Sequence, residues 1–264
     1  MDRVLLIRRG GLGDTLLTAP LLRALRRCWP GAALHLAGTR EHCDVLRELG
    51  LVDAALSAED LWLWQPDRAR ALLAGYDFVL GDEVALVDRP LFVTRVDAGV
   101  PFGLQLVRQA GLRPRWPADA APLSQPLPSA GAHVLAPGSG GANKCWPPSR
   151  WIELAGRLQS AGRRVEVVVG PVELERDDPR RWRWSDGASF VVEPTPWALA
   201  LRLRTAARFY GNDSGVTHLA AALGVPTVAV FVATAPAVWA PVGAHVVVVG
   251  DGRGVPSVSA VLAV

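Results

Sequence analysis

Three short runs of this 264-residue chain combine small residues with an acid, a base or a hydroxyl, and each follows a strand-like apolar block. The first is Arg8-Arg9-Gly10-Gly11-Leu12-Gly13-Asp14-Thr15. Its glycines let a backbone come close to a ligand, and the helix start that follows favours negative charge. Asp14 suits two roles there, the N-cap of that helix or a general base at the edge of a cleft. As a dinucleotide fingerprint the run is incomplete. Leu16 stands where the third glycine belongs, and the second strand ends at Ala37-Gly38 without an acid for a ribose.

The second run, Pro137-Gly138-Ser139-Gly140-Gly141-Ala142-Asn143-Lys144, is a small-residue loop closed by a cation, which suits a phosphate. It lacks the GxxxxGK[ST] order of a P-loop, since Cys145 follows Lys144. The third run, Gly211-Asn212-Asp213-Ser214-Gly215-Val216-Thr217-His218, leads into the Ala/Leu-rich stretch ending at Leu223. Asp213, Ser214 and Gly215 fall at a helix N-terminus, where free N–H groups attract a diphosphate, and His218 lies one turn on. Lys144 is the only lysine among 28 basic residues. Either it is a chance survivor of an arginine-rich composition, or its position wants a compact ammonium instead of a planar fork.

The elements that must position these runs alternate. Val4–Ile7, Ala33–Ala37, Ala54–Leu56 and Phe78–Leu80 read as strands; Thr15–Arg27, Glu41–Leu49 and Pro101–Gly111 read as helices. Five prolines between Gly111 and Gly131 mark an interdomain linker, so the expected domains are 1–125 and 131–264. The alternation then restarts with strands at His133–Ala136, Val165–Val169, Phe190–Val192, Arg208–Tyr210 and Thr227–Phe231. Helices are expected at Ser149–Gln159, Trp197–Ala206 and Ser214–Leu223. This is the pattern of parallel βαβ units in two α/β halves, with a ligand expected in the cleft between them. The segment Arg176–Asp186 has no period and reads as a surface loop with partly buried tryptophans.

Composition narrows the classes. No apolar run approaches the roughly 20 residues that span a bilayer, and the chain opens on a strand-like run with no leader signature, so a cytoplasmic protein is expected. Cys28, Cys43 and Cys145 have no metal or CxxC spacing, the five histidines form no HExxH pair, and no metal or other cofactor is expected. The basic charge comes from a general arginine bias, which gives no reason to expect a nucleic-acid partner.

Together the three runs resemble the heptosyltransferases that extend the lipopolysaccharide inner core, glycosyltransferase family nine. Arg9–Pro20 is similar to the family's "LGD…LTxP" opening, Pro137–Trp146 to its "PGSGG…KxW" segment, and Gly211–Pro226 to "GNDSGxxHLAAALGxP". The resemblance implies an α/β fold of two Rossmann-like domains facing across a cleft, the GT-B type, here with a shortened N-terminal domain. It implies inverting, metal-independent transfer of a sugar, heptose among the options, from an ADP-sugar to an anionic saccharide or glycolipid acceptor such as lipopolysaccharide core. Membrane contact would be peripheral at most.

Carried onto this sequence, the resemblance makes Asp14 the base. Lys144, Ser139 and the N–H groups about Gly13, Gly140, Ser214 and Gly215 would hold the donor diphosphate. Asp213 and His218 would touch its phosphate or sugar end, and Glu173, with Glu175 as a near rival, would hold the ribose. Arg8, Arg9 and Arg23 would hold the acceptor's anionic group. Two departures stand out. The chain is short between Gly50 and Gly131, and Val232-Ala233-Thr234-Ala235-Pro236 replaces the family's Gly-x-Thr-Asp-Pro. They motivate an alternative, a catalytically silent nucleotide-sugar-binding protein. A nicotinamide-dependent oxidoreductase has only the glycine turn in its favour.

Overall fold

The structure, a computed structural model, describes residues 1–58, 66–82, 89–90, 96–125, 131–184 and 187–264. The chain divides into two compact units, Met1–Ala121 and Pro122–Val264. In the first, β1 (Arg3–Ile7), β2 (Ala33–Gly38), β3 (Ala54–Ser57), β4 (Phe78–Gly81) and β5 (Arg89–Pro90) form a parallel sheet ordered β3-β2-β1-β4-β5. Its described helices are α1 (Leu12–Leu16), α2 (Ala19–Cys28), α3 (Arg40–Glu48), α4 (Pro66–Leu73) and α5 (Phe102–Gln109).

In the second unit β6 (His133–Ala136), β7 (Val165–Val168), β8 (Ala188–Val191), β9 (Arg208–Asn212), β10 (Thr227–Val230) and β11 (Val246–Val249) form a parallel sheet ordered β11-β10-β9-β6-β7-β8. Its helices are α6 (Pro148–Ser160), α7 (Pro171–Arg176), α8 (Pro196–Leu203), α9 (Gly215–Ala222), α10 (Pro236–Trp239) and α11 (Val258–Leu262).

The central strands read as continuous apolar runs because helices cover both faces of a parallel sheet. Val4, Leu5, Leu6 and Ile7 are all buried, as are Val228, Ala229 and Val230. On α2 the leucines at 21, 22 and 25 face inward and Arg26 and Arg27 lie in the last turn, an amphipathic helix of the usual period. In the second unit Trp146 and Trp151 meet edge-to-face, with centroids 5.1 Å apart, inside a core shared with Leu135, Val167 and Val228.

Several elements differ from expectation. The helix expected over Thr15–Arg27 is two helices, because Pro20 has no N–H to continue the first one. Thr18 Oγ1 instead donates to Thr15 O at 2.6 Å and closes the break. The proline-rich stretch after Gly111 packs on the first unit as far as Ala121. Buried Asp119 accepts from Arg27 and from Arg115 N, and Arg23 Nη1 donates to the Asp119 and Ala121 carbonyls. Beyond it, Leu123 N donates to Ala222 O at 2.7 Å, at the end of α9 in the second unit. Residues 126–130 of the expected linker lie outside the described residues. The segment expected as a loop from Arg176 begins in α7 and carries a single 3-10 turn at Pro179–Arg181; residues 185 and 186 lie outside the description. No helix among the described residues is long and apolar enough to cross a membrane.

Each sheet reverses direction of growth once. In the first unit the chain lays down β1, β2 and β3 toward one edge, then returns to place β4 beside β1. In the second it does the same with β6, β7 and β8 before placing β9 beside β6. At such a switch point the loops leaving the two central strands diverge, and the crevice beyond their carboxyl ends is where open α/β sheets bind ligands. Registers pair Ile7 with Gly81 and Ala136 with Gly211. The residues that follow these four positions are Arg8 to Asp14, Asp82, Pro137 to Lys144, and Asn212 to Ser214, so each unit brings its chemistry to the switch point of its own sheet.

Candidate functional site

In the second unit the loop after β6 is held by the loop after β9. The Asn212 side chain is fully buried; its Nδ2 donates to Pro137 O at 2.6 Å and its Oδ1 accepts from Trp146 N at 2.9 Å. Ser139 Oγ donates to Asp213 O at 2.7 Å. Lys144, at the end of a single 3-10 turn over Ala142–Lys144, places Nζ 2.8 Å from Asp213 Oδ2, and Thr234 Oγ1 donates to that same oxygen at 2.7 Å. The Asp213 side chain is 7% exposed and the Lys144 side chain 34%. The ammonium is therefore anchored by a buried carboxylate on a side chain that is itself partly exposed, an arrangement that suits a fixed cation for an anion.

Ser214 caps α9. Its side chain accepts from Thr217 N, while Thr217 Oγ1 donates back to Asn212 O at 2.5 Å. The helix start is thus tied into the strand that precedes it, and its first N–H groups lie beside Gly215. His218 is buried.

Glu173 lies on the other side of the same loop. As the third residue of α7 it accepts from Gly170 N at 2.7 Å through Oε2, and its carboxylate lies so close to Gly138 that a Cβ there would overlap it. Glu175 is exposed. Arg176, from the last turn of α7, donates to Gly140 O at 2.8 Å. Gly140 is exposed, and a Cβ there would meet nothing within 4 Å. Cys145 Sγ donates to Gly141 O at 3.6 Å, and burial pushes its thiol up from the ordinary value.

In the first unit Arg8 bridges two carboxylates. Its Nη1 lies 2.9 and 3.1 Å from the two oxygens of Asp82, and its Nη2 lies 3.4 Å from Asp14 Oδ1. Asp82 also accepts from Arg9 N at 3.0 Å. Asp14 Oδ2 accepts from Gly11 N at 3.0 Å. Asp14 is therefore not the N-cap; Gly11 is, and Asp14 stands third in α1 and reaches back to it. The early start follows from Gly10, whose φ of 118° is left-handed and whose Cβ would collide with the Asp14 carboxylate. Gly13 lies in the first turn of α1, and its carbonyl accepts from Leu17 N at 2.9 Å.

The expected donor residues Ser139, Gly140, Lys144, Asp213, Ser214 and Gly215 all fall in the two interlocked loops, and Glu173 packs against one of them. Asp14 and Gly13 share a turn with Arg8 and Arg9. Arg23 has different partners, the carbonyls of the segment leading to Ala121. Sequence reasoning missed Asn212, Thr234, Arg176 and Asp82. The first two lay inside runs already singled out, yet their roles depend on groups they meet across 66 and 21 residues of chain, a backbone N–H for Asn212 and a carboxylate for Thr234. Asp82 had a signal, an acid directly after the strand that pairs with β1.

The family model described as glycosyltransferase family 9 (heptosyltransferase) matches residues 107–260. Lipopolysaccharide heptosyltransferase 1 of Pseudomonas aeruginosa is 28% identical over 172 residues, 65% of this chain and 46% of that protein. The enzyme of the same name from Escherichia coli K12 is 31% identical over 97 residues, 36% of this chain and 30% of that protein. The chain thus spans less than half the length of the curated relatives it matches.

Among solved structures, E. coli heptosyltransferase WaaC with ADP is similar over 99% of this chain and 98% of that one, with a TM-score of 0.74 and 19% identity. A glycosyl transferase family 9 protein from Veillonella parvula covers 100% and 96%, with a TM-score of 0.76 and 19% identity. At that identity the likeness establishes the fold, two Rossmann-like domains of the GT-B type.

Proposed function

The chain belongs to glycosyltransferase family 9, and on that premise we propose that it transfers a heptose-type sugar from an ADP-sugar to an anionic saccharide of the lipopolysaccharide core. The observation that carries this reading is the Lys144 ammonium, fixed 2.8 Å from buried Asp213 between the glycine-rich loop and the Ser214-capped start of α9. A diphosphate leaving group needs its charge neutralised, and a fixed ammonium with helix N–H groups supplies that without reorganisation at the moment of reaction. The relatives' names support the donor and acceptor classes: one solved neighbour is described with ADP, another with ADP-2-deoxy-2-fluoro heptose, and the curated relatives are lipopolysaccharide heptosyltransferases.

In this mechanism Asp14 takes the proton of the acceptor hydroxyl as its oxygen bonds to the anomeric carbon. The bond from that carbon to the diphosphate oxygen breaks, and its electron pair leaves with ADP. The new bond forms on the face opposite the leaving group, so the anomeric configuration inverts. No metal takes part, because Lys144 and the α9 N–H groups carry the neutralising role. Ser139 and Asp213 position Lys144 and its loop, Glu173 and His218 serve the nucleoside and sugar ends, and Arg9 is the first unit's candidate for the acceptor's anion.

The test is transfer from ADP-heptose to core lipopolysaccharide lacking its heptoses, followed by ADP release in the presence of EDTA and by NMR of the product linkage. An inverted linkage formed with EDTA present supports the reading. ADP binding without transfer or donor hydrolysis would leave a silent nucleotide-sugar-binding protein in its place.

A further inference from the structure

We propose that Asp82 is a positioning residue for Asp14, acting through Arg8. The inference rests on Asp14 being the base of the proposed reaction. The Arg8 side chain is 13% exposed, and its guanidinium is shared by two carboxylates of unequal standing. Toward Asp82 it makes a short two-oxygen contact, and Asp82 is fixed further by Arg9 N. Toward Asp14 it makes one long contact of 3.4 Å. The guanidinium carbon lies over the Phe102 ring of α5, 5.4 Å from its centroid, so packing as well as charge holds the group in place.

The two acids therefore divide the work. Asp82 is 15% exposed and fully engaged; Asp14 is 42% exposed, with one oxygen on Gly11 N and the other only loosely approached. A carboxylate whose two oxygens both lie against an arginine nitrogen is a poor proton acceptor, since the contact favours its charged form. By holding Arg8 on itself, Asp82 keeps the guanidinium from closing on Asp14. Arg8 still orients Asp14 at a distance, and the base stays open.

Among the described residues, the charged and titratable groups at this corner include Arg8, Arg9, Asp14, Asp82 and, on α3, Glu41, His42 and Cys43, whose thiol burial pushes up to about 12. His42 makes a backbone contact with Gly10 and feels both Asp14 and Glu41. None of the others can replace the Asp82 grip, because only Asp82 meets Arg8 with both oxygens.

The test compares wild type, Asp82→Asn and Asp82→Asn/Arg8→Met. The readouts are the pH–rate profile of transfer and the carbon-13 NMR titration of the Asp14 carboxyl, assigned by its loss in Asp14→Asn. With Asp82 neutral, Arg8 closes on Asp14. The titration and the acidic limb should both move to lower pH by about one unit, and plateau turnover should fall at least about tenfold with ADP affinity unchanged. Removing Arg8 as well should reverse the titration shift.

An unmoved Asp14 titration in folded Asp82→Asn overturns the proposal, whatever happens to turnover. A shifted titration in a protein that transfers nothing leaves the positioning intact and overturns the proposed function instead. Unfolding of Asp82→Asn is answered by the double variant. If that variant folds and titrates below wild type, the grip of Arg8 is not the cause.

Discussion

Asn212 and Trp146 are joined by a buried hydrogen bond, Trp146 N donating to Asn212 Oδ1 at 2.9 Å, and the other end of the same carboxamide donates to Pro137 O. One side chain from the end of β9 thus closes the whole Pro137–Trp146 segment into a ring. Asn212→Ala would leave a buried N–H and a buried carbonyl without partners. Each such loss costs about 1–3 kcal/mol, so a destabilisation of about 2–4 kcal/mol is expected in denaturant unfolding. Asn212→Asp keeps the acceptor but turns a buried carboxylate toward Pro137 O, and should be at least as destabilising as alanine. Equal stability of the alanine variant would mean that the ring is held elsewhere.

Lys144→Ala should weaken ADP binding by about 1.5–3 kcal/mol, the usual worth of a charge-assisted hydrogen bond, as read by calorimetry. The same change leaves the buried Asp213 carboxylate with Thr234 as its remaining side-chain partner. Lys144→Ala should therefore also lower stability, and Lys144→Ala/Asp213→Asn should recover part of that stability without recovering ADP affinity. This separates the two roles of the ammonium, one toward the ligand and one toward the fold. ADP affinity indifferent to Lys144 would move the diphosphate away from this loop.

Asp14→Asn should reduce turnover by about a hundredfold or more, the usual contribution of a positioned general base, while ADP affinity changes little. Asparagine can still accept from Gly11 N, so the start of α1 should survive and thermal unfolding should shift only slightly. Turnover equal to wild type would remove Asp14 as the base.

Nine of the eleven described strands and the three chemical runs were legible because strand-like apolar blocks and glycine-rich turns are local signals; the edge strands β5 and β11 were not expected. β1 and β10 are apolar throughout after their first residue, and a parallel sheet covered on both faces demands that pattern. The division of labour within the site was not local. Nothing near Asp82 in sequence says that Arg8 lies against it, since the pairing arises only when β4 is laid beside β1. Thr234 is similar: the missing acid of its loop was visible, but not that its hydroxyl would reach Asp213. The break after Leu16 was readable in hindsight from Pro20, whose ring outweighs the leucine period on either side.

Acid should destabilise the protein through three histidines. Burial lowers the affinity of His35, His133 and His42 for a proton; nearby Arg3 adds to this at His35, as do Arg163 and Arg208 at His133. His35 and His133 make the same kind of contact, each with Nδ1 against a tyrosine hydroxyl, Tyr76 at 2.7 Å and Tyr210 at 3.3 Å. The unfolded chain titrates near 6.5 and the folded chain lower, so the unfolded state binds more protons between those values. The contribution of the neutral rings is complete above the unfolded value and is lost as pH falls through 6.5 toward the folded values. Tm should therefore drop from pH 7 to pH 5, and His35→Gln/His133→Gln should flatten that slope. A slope unchanged in the double variant would assign the acid sensitivity to other groups.

Gly138 and Glu173 should be energetically coupled. A methyl at 138 falls inside the space of the Glu173 carboxylate, which is itself held by Gly170 N at 2.7 Å. Gly138→Ala must therefore either push Glu173 off the start of α7 or bend the loop that carries Ser139 and Lys144. Such overpacking costs about 1–3 kcal/mol. Glu173→Ala removes only the backbone contact at the helix start, worth about 0.5–2 kcal/mol. In Gly138→Ala/Glu173→Ala the methyl has room, so the double variant should be less destabilised than the sum of the single changes. Strict additivity in urea unfolding would mean that the loop, and not Glu173, yields to the methyl. In that case Gly138→Ala alone should cost ADP affinity, because Lys144 would move with the loop.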